Sequence, residues 1–202
     1  MLIYGASGHA KVIMDCLKSR GEAIKSVFDD NPLIKKFLGF KVVHSYDPDL
    51  FPGIHLVIAI GNNRIRKKIA SLVLPSNPPP SALSHPSAIL SENIKLGNGT
   101  VILHNAVVQT GTQIGNYVII NTGATVDHDC TLDGFVHVAP NATLCGGITV
   151  GEGTLIGAGS VVIPNIKIGK WCVIGAGAVV VKDVPDYSMV LGNPGKVVKK
   201  LK

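Results

Sequence analysis

The sequence predicts an α/β N-terminal Rossmann-like subdomain followed by a left-handed parallel β-helix of hexapeptide repeats. An aliphatic residue occupies every sixth position from Leu90 to Val180 without a gap, a repeat typical of chains wound into stacked triangular coils. Glycines recur at multiples of 18 residues, so three hexads make one coil. Ahead of the repeat, a short apolar run leads into a glycine-rich turn and a helical pattern, as in a βα unit of a parallel sheet.

Residues 1–80 form the predicted α/β subdomain. Its expected strands are Leu2–Tyr4, Ser26–Phe28 and 54–60, and its expected helix covers residues 11–20. Because strands alternate with helices, the sheet should be parallel, with its ligand at the carboxyl ends of the strands. The unit lacks the second half of a dinucleotide fold, so we expect room for one nucleotide.

The second predicted domain, residues 81–202, contains the repeat and a C-terminal tail. Five prolines within residues 74–86 indicate the linker before it, because proline interrupts both helix and sheet. The fifth position of each hexad from Thr100 to Ala178 carries no charge, so it should also face inward. Glycines after the aliphatic positions should give corners that a Cβ would oppose. The flat, apolar outer faces predict association, and we expect a homotrimer.

Composition restricts the environment and the partners. The formal net charge of +6 suits an anionic ligand, although a solubility face and a basic tail would give the same charge. The four cysteines show no CxxC spacing, which favours reduced packing residues. No signal segment and no membrane span are predicted, so we expect a cytoplasmic protein. No nucleic-acid partner is expected.

Stacked coils place residues 18 apart above one another, so His128 should lie beneath Gly146, and a glycine beside a histidine leaves a hollow. Asp129 beside His128 suggests a general base, because a carboxylate that accepts from one ring nitrogen makes the other more basic. Neighbouring strand residues point to opposite faces, so this pairing needs a corner of the prism. His137 lies half a coil from His128, which predicts that any shared site is formed between subunits.

Three segments carry a resemblance to a known family, the sialic acid O-acyltransferase (NeuD-type) family. They are residues 3–10 (IYGASGHA), residues 59–69 (AIGNNRIRKKI) and the stretch from Ile120 through His128 to Val138. Within that family the chain is most similar to PglD-type enzymes, which use acetyl-CoA to N-acetylate the 4-amino group of a UDP-4-amino-4,6-dideoxy sugar. The likeness spans the whole chain and implies direct transfer without a metal.

The resemblance also implies roles for individual residues. His128 is the expected general base, and Asp129, where one member of the family has Glu, supports it. His137 is expected to contact the acetyl-CoA thioester from a neighbouring subunit. The other residues implied to bind acetyl-CoA are Asn121, Gly146, Ala158 and Ala176. Those implied to bind the UDP-sugar are Ser7, Gly8, His9, Asp29, Asp30 and Gly61.

Three alternatives remain open at the level of sequence. A related enzyme could acetylate a hydroxyl of sialic acid or of another sugar. The same prism carries the γ-class carbonic anhydrases, which are metal lyases, and His104, His128 and His137 are three histidines, although their spacing differs from that class. A trimeric scaffold without catalytic activity would make the pairing of His128 and Asp129 a coincidence.

Overall fold

The computed structural model describes residues 1–73 and 77–201. These form two compact units, Met1–Ser81 and Ala82–Lys202. Residues 74–76 of the predicted linker lie outside the described residues. Leu83–Ser84, within the same predicted linker, is instead a strand that pairs in parallel with Val101–Ile102. Ser84 lies one hexad before Leu90, so the repeat starts earlier than the aliphatic pattern indicates.

The first unit is an α/β fold with a five-stranded sheet. Its elements are β1 (Leu2–Tyr4), α1 (Gly8–Ser19), β2 (Ser26–Phe28), β3 (Lys36–Phe37), β4 (Phe40–Val43), a 3-10 turn (Pro48–Leu50), β5 (Leu56–Ile58) and α2 (Asn63–Val73). The strand order is β3-β4-β2-β1-β5, and every pair is parallel except β3 with β4. The predicted parallel sheet is confirmed, and the loops after β1, β2 and β5 meet at one edge.

The boundaries of two predicted elements change. Helix α1 begins at Gly8 rather than at residue 11, because Ser7 has an extended backbone and takes the N-cap position. Strand β5 covers only Leu56–Ile58 of the predicted residues 54–60. The β3–β4 hairpin and α2 were not predicted. The hairpin strands are only two and four residues long, whereas α2 lies in a charge-rich segment whose buried residues do recur at helical spacing.

The second unit is a parallel β-helix built from short strands. They are β6 (Leu83–Ser84), β7 (Ile89–Leu90), β8 (Lys95–Leu96), β9 (Val101–Ile102), β10 (Val107–Val108), β11 (Gln113–Ile114), β12 (Ile119–Ile120), β13 (Thr125–Val126), β14 (Thr131–Leu132), β15 (His137–Val138), β16 (Thr143–Leu144), β17 (Thr149–Val150), β18 (Leu155–Ile156), β19 (Val161–Val162), β20 (Lys167–Ile168), β21 (Val173–Ile174), β22 (Val179–Val180), β23 (Ser188–Leu191) and β24 (Lys196–Lys200).

The strands of the solenoid form three sheets. The first sheet runs β7-β10-β13-β16-β19-β22, the second β8-β11-β14-β17-β20, and the third β6-β9-β12-β15-β18-β21-β23-β24. Partners within each repeat are 18 residues apart, as in Val126 with Leu144. The predicted three-hexad coil and the β-helix are therefore confirmed. The regular repeat ends after β22, where the next position of the ladder is Asp186.

The interior of the solenoid contains two residues from each hexad. The aliphatic positions from Ile102 to Val180 are at most 4 % exposed, and the fifth positions from Thr100 to Ala178 are at most 7 % exposed. Threonines at fifth positions are bonded inside the core: Thr112 Oγ1 donates to Asp127 O at 2.8 Å and accepts from Cys130 N at 3.2 Å. The prediction that both positions face inward is correct.

The corners use two kinds of residue. The first kind are glycines after the aliphatic positions, where neighbouring coils touch: a Cβ on Gly151 would lie 2.6 Å from Lys170 N. The second kind are left-handed residues in each turn, such as Asn93 (φ +58°) and Asn165 (φ +63°). Asparagine and glycine tolerate this conformation better than most residues. The predicted role of the glycines is thus correct, but close approach rather than positive φ explains Gly151.

Candidate active site

His128 and Asp129 form a hydrogen-bonded pair at the corner between β13 and β14. The distance from His128 Nδ1 to Asp129 Oδ2 is 2.8 Å. An ionised carboxylate can only accept, so Nδ1 carries the proton and Nε2 is the basic nitrogen. The bond to Asp129 raises the pKa of His128, and the negative charge of Asp127 also raises it. Both side chains of the pair are more than half exposed, so a substrate can reach them.

The corner allows neighbouring residues to pair. Asp129 has a left-handed backbone, with φ +58°, so its side chain does not alternate with that of His128 as it would in a strand. The coil below contributes Gly111, whose missing side chain leaves the space that the Asp129 carboxylate occupies. The pair was expected to need an irregular backbone, and the left-handed turn at Asp129 provides it. Turns of this kind recur throughout the solenoid.

Gly146 lies in the coil above His128. A Cβ at this position would come within 2.5 Å of His128 Cε1 and Nε2, so glycine is required for the imidazole to lie where it does. Gly147 N donates to His128 O at 2.9 Å and fixes the two coils relative to each other. The stacking predicted from the 18-residue register is present in the structure.

His137 begins β15 on the third sheet and has an amide partner. Asn121 Nδ2 lies 3.0 Å from His137 Nε2, while Asn121 Oδ1 accepts from Thr122 N at 2.8 Å. Because the Thr122 N–H can only donate, the amide nitrogen of Asn121 must face the imidazole and donate to it. His137 is therefore neutral in this arrangement, with its proton on Nδ1.

The three sequence-selected histidines of the solenoid do not meet within one chain. His128 lies at the corner between the first and second sheets, and His137 lies on the third sheet across the prism. The ring of His104 stacks on that of His85 with a centroid distance of 3.7 Å. Within the described residues, no group of His, Cys, Asp and Glu is arranged to hold a metal ion.

Ala158 and Ala176 lie above one another at the corner after the third sheet. Both are exposed, and Gly177 N donates to Ala158 O at 2.9 Å between their coils. The pairing of β18 with β21 sets this register. Two small exposed residues thus occupy the same corner in consecutive coils.

A second polar site lies at the carboxyl edge of the α/β sheet. Ser7 and Gly8 are exposed at the start of α1, and Ser7 makes no side-chain capping bond. The N–H groups of a first helical turn attract anions, and a Cβ on Gly8 would meet no atom within 4 Å. Burial lowers the pKa of His9 to about 4, with a contribution from the positive charge of Arg66, so His9 is neutral near pH 7.

The two aspartates after β2 have different partners. Asp29 accepts from Ala6 N at 2.7 Å and from Asn31 N at 2.9 Å, so it holds the glycine turn in place. Asp30 accepts from the Tyr4 hydroxyl at 2.6 Å. Tyr4, Ser7 and both aspartates line one cavity of about 350 Å³, so three of the six predicted nucleotide residues line the same cavity.

Arg66 on α2 is a structural partner of this edge that sequence reasoning did not select. It is 2 % exposed, and its Nη1 donates to Ile60 O at 3.0 Å and to Gly61 O at 3.1 Å, while Nη2 donates to Asn63 Oδ1 at 2.9 Å. Burial lowers its pKa to about 9, so it remains charged near neutral pH. An arginine in the first turn of a basic helix gives no sequence signal of its own.

The cysteines are packing residues. All four lie in the described chain and are free thiols, of which Cys16, Cys130 and Cys172 are buried. Burial raises the pKa of Cys16 to about 11 and also raises that of Cys130. Raised values disfavour the thiolate, which is the nucleophilic form.

Comparison with known proteins gives two family matches. Residues 1–73 match the PglD N-terminal domain, and residues 93–128 and 147–182 match the bacterial transferase hexapeptide (six repeats). A curated relative, UDP-N-acetylbacillosamine N-acetyltransferase of Bacillus subtilis (strain 168), is 37 % identical over 109 residues, which is 50 % of each chain. The match therefore spans about half the length of that relative.

Two solved structures are similar over nearly the whole chain. The acetyltransferase domain of PglB from Neisseria gonorrhoeae FA1090, in complex with acetyl coenzyme A, is 36 % identical, with 98 % of both chains covered and a TM-score of 0.88. A His-to-Asn mutant of perosamine N-acetyltransferase from Caulobacter crescentus, in complex with CoA and GDP-perosamine, is 37 % identical, with 98 % of this chain and 96 % of that chain covered and a TM-score of 0.93. These matches confirm the resemblance drawn from sequence: the chain belongs to the PglD-type family of hexapeptide-repeat acetyltransferases.

Proposed function

We propose that the protein transfers the acetyl group of acetyl-CoA to the 4-amino group of a UDP-4-amino-4,6-dideoxy sugar, with His128 as general base. The observation that carries this proposal is the bond of His128 Nδ1 to Asp129, which leaves the basic Nε2 in the space beneath Gly146. The named relatives support an amine rather than a hydroxyl as acceptor, since the curated relative and the perosamine enzyme are N-acetyltransferases.

The proposed reaction is a direct displacement. The neutral amine nitrogen attacks the thioester carbonyl carbon and forms the new C–N bond while negative charge develops on the carbonyl oxygen. The C–S bond then breaks and releases the thiol of CoA. His128 Nε2 takes the proton that the nitrogen loses and returns it to the departing sulfur, so no covalent enzyme intermediate is needed. Asp129 stabilises the imidazolium that forms in between.

His137 is the proposed partner of the thioester. Its protonated Nδ1, set by Asn121, can donate to the carbonyl oxygen as negative charge develops there. Gly146, Ala158 and Ala176 are proposed to border the path of the CoA arm.

The two histidines can act together only if different chains supply them. We therefore propose a homotrimer with its active sites between subunits. The outward residues of the second sheet are polar and exposed: Lys95, Gln113, Thr131, Thr149 and Lys167. By contrast, Val107, Val161 and Val179 point outward from the first sheet, and Leu155 and Val173 from the third. Two of the three faces are thus suited to contact other subunits.

The α/β unit is proposed to hold the nucleotide sugar. Ser7, Gly8 and His9 face the diphosphate in this proposal, and Asp29, Asp30 and Gly61 shape or contact the nucleoside. The matching relatives act on sugars named with two different nucleotides, UDP and GDP, so the nucleotide is part of what must be tested. In the described residues no helix is long and apolar enough to cross a membrane, and the free thiols suit a reducing compartment such as the cytoplasm.

The test is turnover by a His128→Ala variant. General-base catalysis typically contributes about 10²- to 10⁴-fold, so kcat should fall by that factor while the Kd for acetyl-CoA stays the same. Thiol release would be followed with UDP- and GDP-linked 4-amino-4,6-dideoxy sugars. His55→Ala, which removes an exposed histidine of the first unit, is the matched control. Wild-type turnover by His128→Ala would refute the assignment, and a preference for the GDP substrate would correct the nucleotide.

A further inference from the structure

A second carboxylate lies beside His128 and has no role in the reaction as described so far. Asp127 is the residue between β13 and the corner, and its Oδ1 accepts from the His128 N–H at 2.8 Å. This contact is to the backbone, whereas Asp129 contacts the imidazole. The two carboxylates therefore act on different parts of the same histidine.

Asp127 is itself held from both neighbouring coils. Its N–H donates to Leu144 O at 2.9 Å in the coil above, and its carbonyl oxygen accepts from Thr112 Oγ1 at 2.8 Å in the coil below. Because the backbone of Asp127 is held on both sides, its carboxylate has a defined position and can hold the next peptide group. The N–H of His128 is the group that it fixes.

The same contact occurs at the corner of Asn121, which is the partner of the other proposed active-site histidine. Asn121 Oδ1 accepts from Thr122 N at 2.8 Å, as Asp127 Oδ1 accepts from His128 N. Asparagine therefore supports this turn geometry in this fold without a charge. The negative charge of Asp127 is therefore not needed for the turn and has a separate consequence.

That consequence is electrostatic. The charged groups that face His128 are Asp127 and Asp129 from its own corner, while Gly146 above it and Thr110 below it carry no charge. Both aspartates raise the pKa of His128. A stronger base takes the proton from the amine more readily, provided that it is still neutral at the working pH.

We propose that Asp127 is a positioning residue for His128, which fixes the turn through the His128 N–H and supplies a second negative charge beside the imidazole. This inference rests on the proposed function, in which His128 is the base. It assigns Asp127 no contact with either substrate.

The experiment compares Asp127→Asn, which keeps the bond to His128 N, with Asp127→Ala, which removes it. In Asp127→Asn the pKa of His128, measured by NMR titration, should fall by about half a pH unit, since the pair is exposed and screened. The acidic limb of the kcat/KM profile should move to lower pH by the same amount. Asp127→Ala should show this shift and a further fall in kcat of roughly tenfold, because the histidine is less well oriented.

Asp133→Asn is the matched control, since Asp133 precedes the next corner and is exposed. It should change neither the titration nor the profile. An unchanged His128 titration in Asp127→Asn would overturn the electrostatic role, and equal kcat in Asp127→Asn and Asp127→Ala would overturn the role in orientation. If the titration shifts while the kcat/KM profile does not, Asp127 acts on His128 as inferred and the proposed base is wrong.

Discussion

At the scale of single residues, the chemistry depends on a conformation that few side chains adopt. Asp129 reaches His128 because its backbone is left-handed, and the equivalent residues of the same corner in other coils include Asn93 and Asn165. The equivalent position is asparagine or glycine in the neighbouring coils, whereas in this coil it is an aspartate. From this conformation the short arm of Asp129 spans the 2.8 Å bond to His128.

Because asparagine occupies the equivalent corner in other coils, Asp129→Asn should fold normally. Asp129→Asn should leave the melting temperature unchanged, because asparagine tolerates the left-handed corner. It should lower kcat about 10- to 100-fold, since the imidazolium loses its carboxylate. The pKa of His128 should fall, so the acidic limb of the pH profile, where the base becomes protonated, should move to lower pH.

The reverse exchange at the same corner is the control. Asn93→Asp adds a carboxylate two coils below, where no histidine is adjacent in the turn, and should alter neither kcat nor the profile. Full activity in Asp129→Asn across the pH range would contradict the proposed support of His128 by Asp129.

His9 gives a second prediction at this scale. Its lowered pKa of about 4 makes it neutral above pH 5, so it can bind a nucleotide sugar as a hydrogen-bonding group but not as a cation. His9→Ala should weaken binding of the UDP-sugar about tenfold, the value of one or two hydrogen bonds, and should leave acetyl-CoA binding unchanged. Titration calorimetry between pH 6 and 8 should show no change in affinity that follows His9 protonation. Weaker CoA binding with normal UDP-sugar binding would contradict the proposed division of roles between the units.

At the scale of elements, stability comes from contacts between coils. Each two-residue strand pairs with strands 18 residues before and after it, and the inward residues form continuous aliphatic columns. A solenoid of this kind is stabilised mainly by interfaces between neighbouring repeats. The glycine column is where those interfaces are closest.

Gly151→Ala should therefore destabilise the solenoid. Its new Cβ would lie 2.6 Å from Lys170 N and 2.7 Å from Gly169 C, and backbone atoms cannot move aside as a flexible side chain does. We expect a loss of about 1–3 kcal/mol in the free energy of unfolding, typical of overpacking. Thr149→Ala changes an exposed residue of the same coil and should shift the free energy by less than about 0.5 kcal/mol. Chemical denaturation of both variants measures the difference. Equal free energies of unfolding would contradict the prediction, because they would show that neighbouring coils can move apart to accommodate the Cβ.

At the scale of the whole molecule, the proposed reaction needs more than one chain. His128 and His137 lie on different sides of one prism, so an isolated subunit holds the proposed base and the proposed thioester contact apart. Most outward residues of the first and third sheets are aliphatic, whereas those of the second sheet are polar. This asymmetry separates the faces suited to subunit contact from the face suited to water.

A charge placed on each kind of face tests this assembly. Val161→Arg, on the first sheet, should shift the mass measured by light scattering from trimer to monomer and should reduce activity in parallel, because a buried unpaired charge is costly. Thr149→Arg, on the second sheet, should leave both mass and activity unchanged. A Val161→Arg monomer with full activity would contradict a site formed between subunits, and a wild-type monomer would contradict the trimer itself.

Much of the fold could be predicted because the hexad pattern is directly physical. An aliphatic residue at every sixth position has only one way to face a common core in a three-sided coil, so strand register followed from spacing alone. Strand β1 of the α/β unit was also predictable, because the apolar run Leu2–Tyr4 ends at a glycine-rich turn. The β3–β4 hairpin was missed because strands of two and four residues are too short to show an alternating pattern. Helix α2 has buried residues at helical spacing and could have been predicted from them.

The sequence by itself determined the repeat, the stacking of Gly146 on His128 and the family, because these follow from local spacing and composition. Only the tertiary structure decided how His128 is held: the left-handed corner at Asp129, the contact of Asp127 with the His128 backbone, and the buried Arg66 beneath Gly61. Each depends on backbone angles and on partners from other coils or other elements. Spacing along a chain specifies which residues become neighbours, whereas the direction of a hydrogen bond is fixed only when the surrounding backbone is folded.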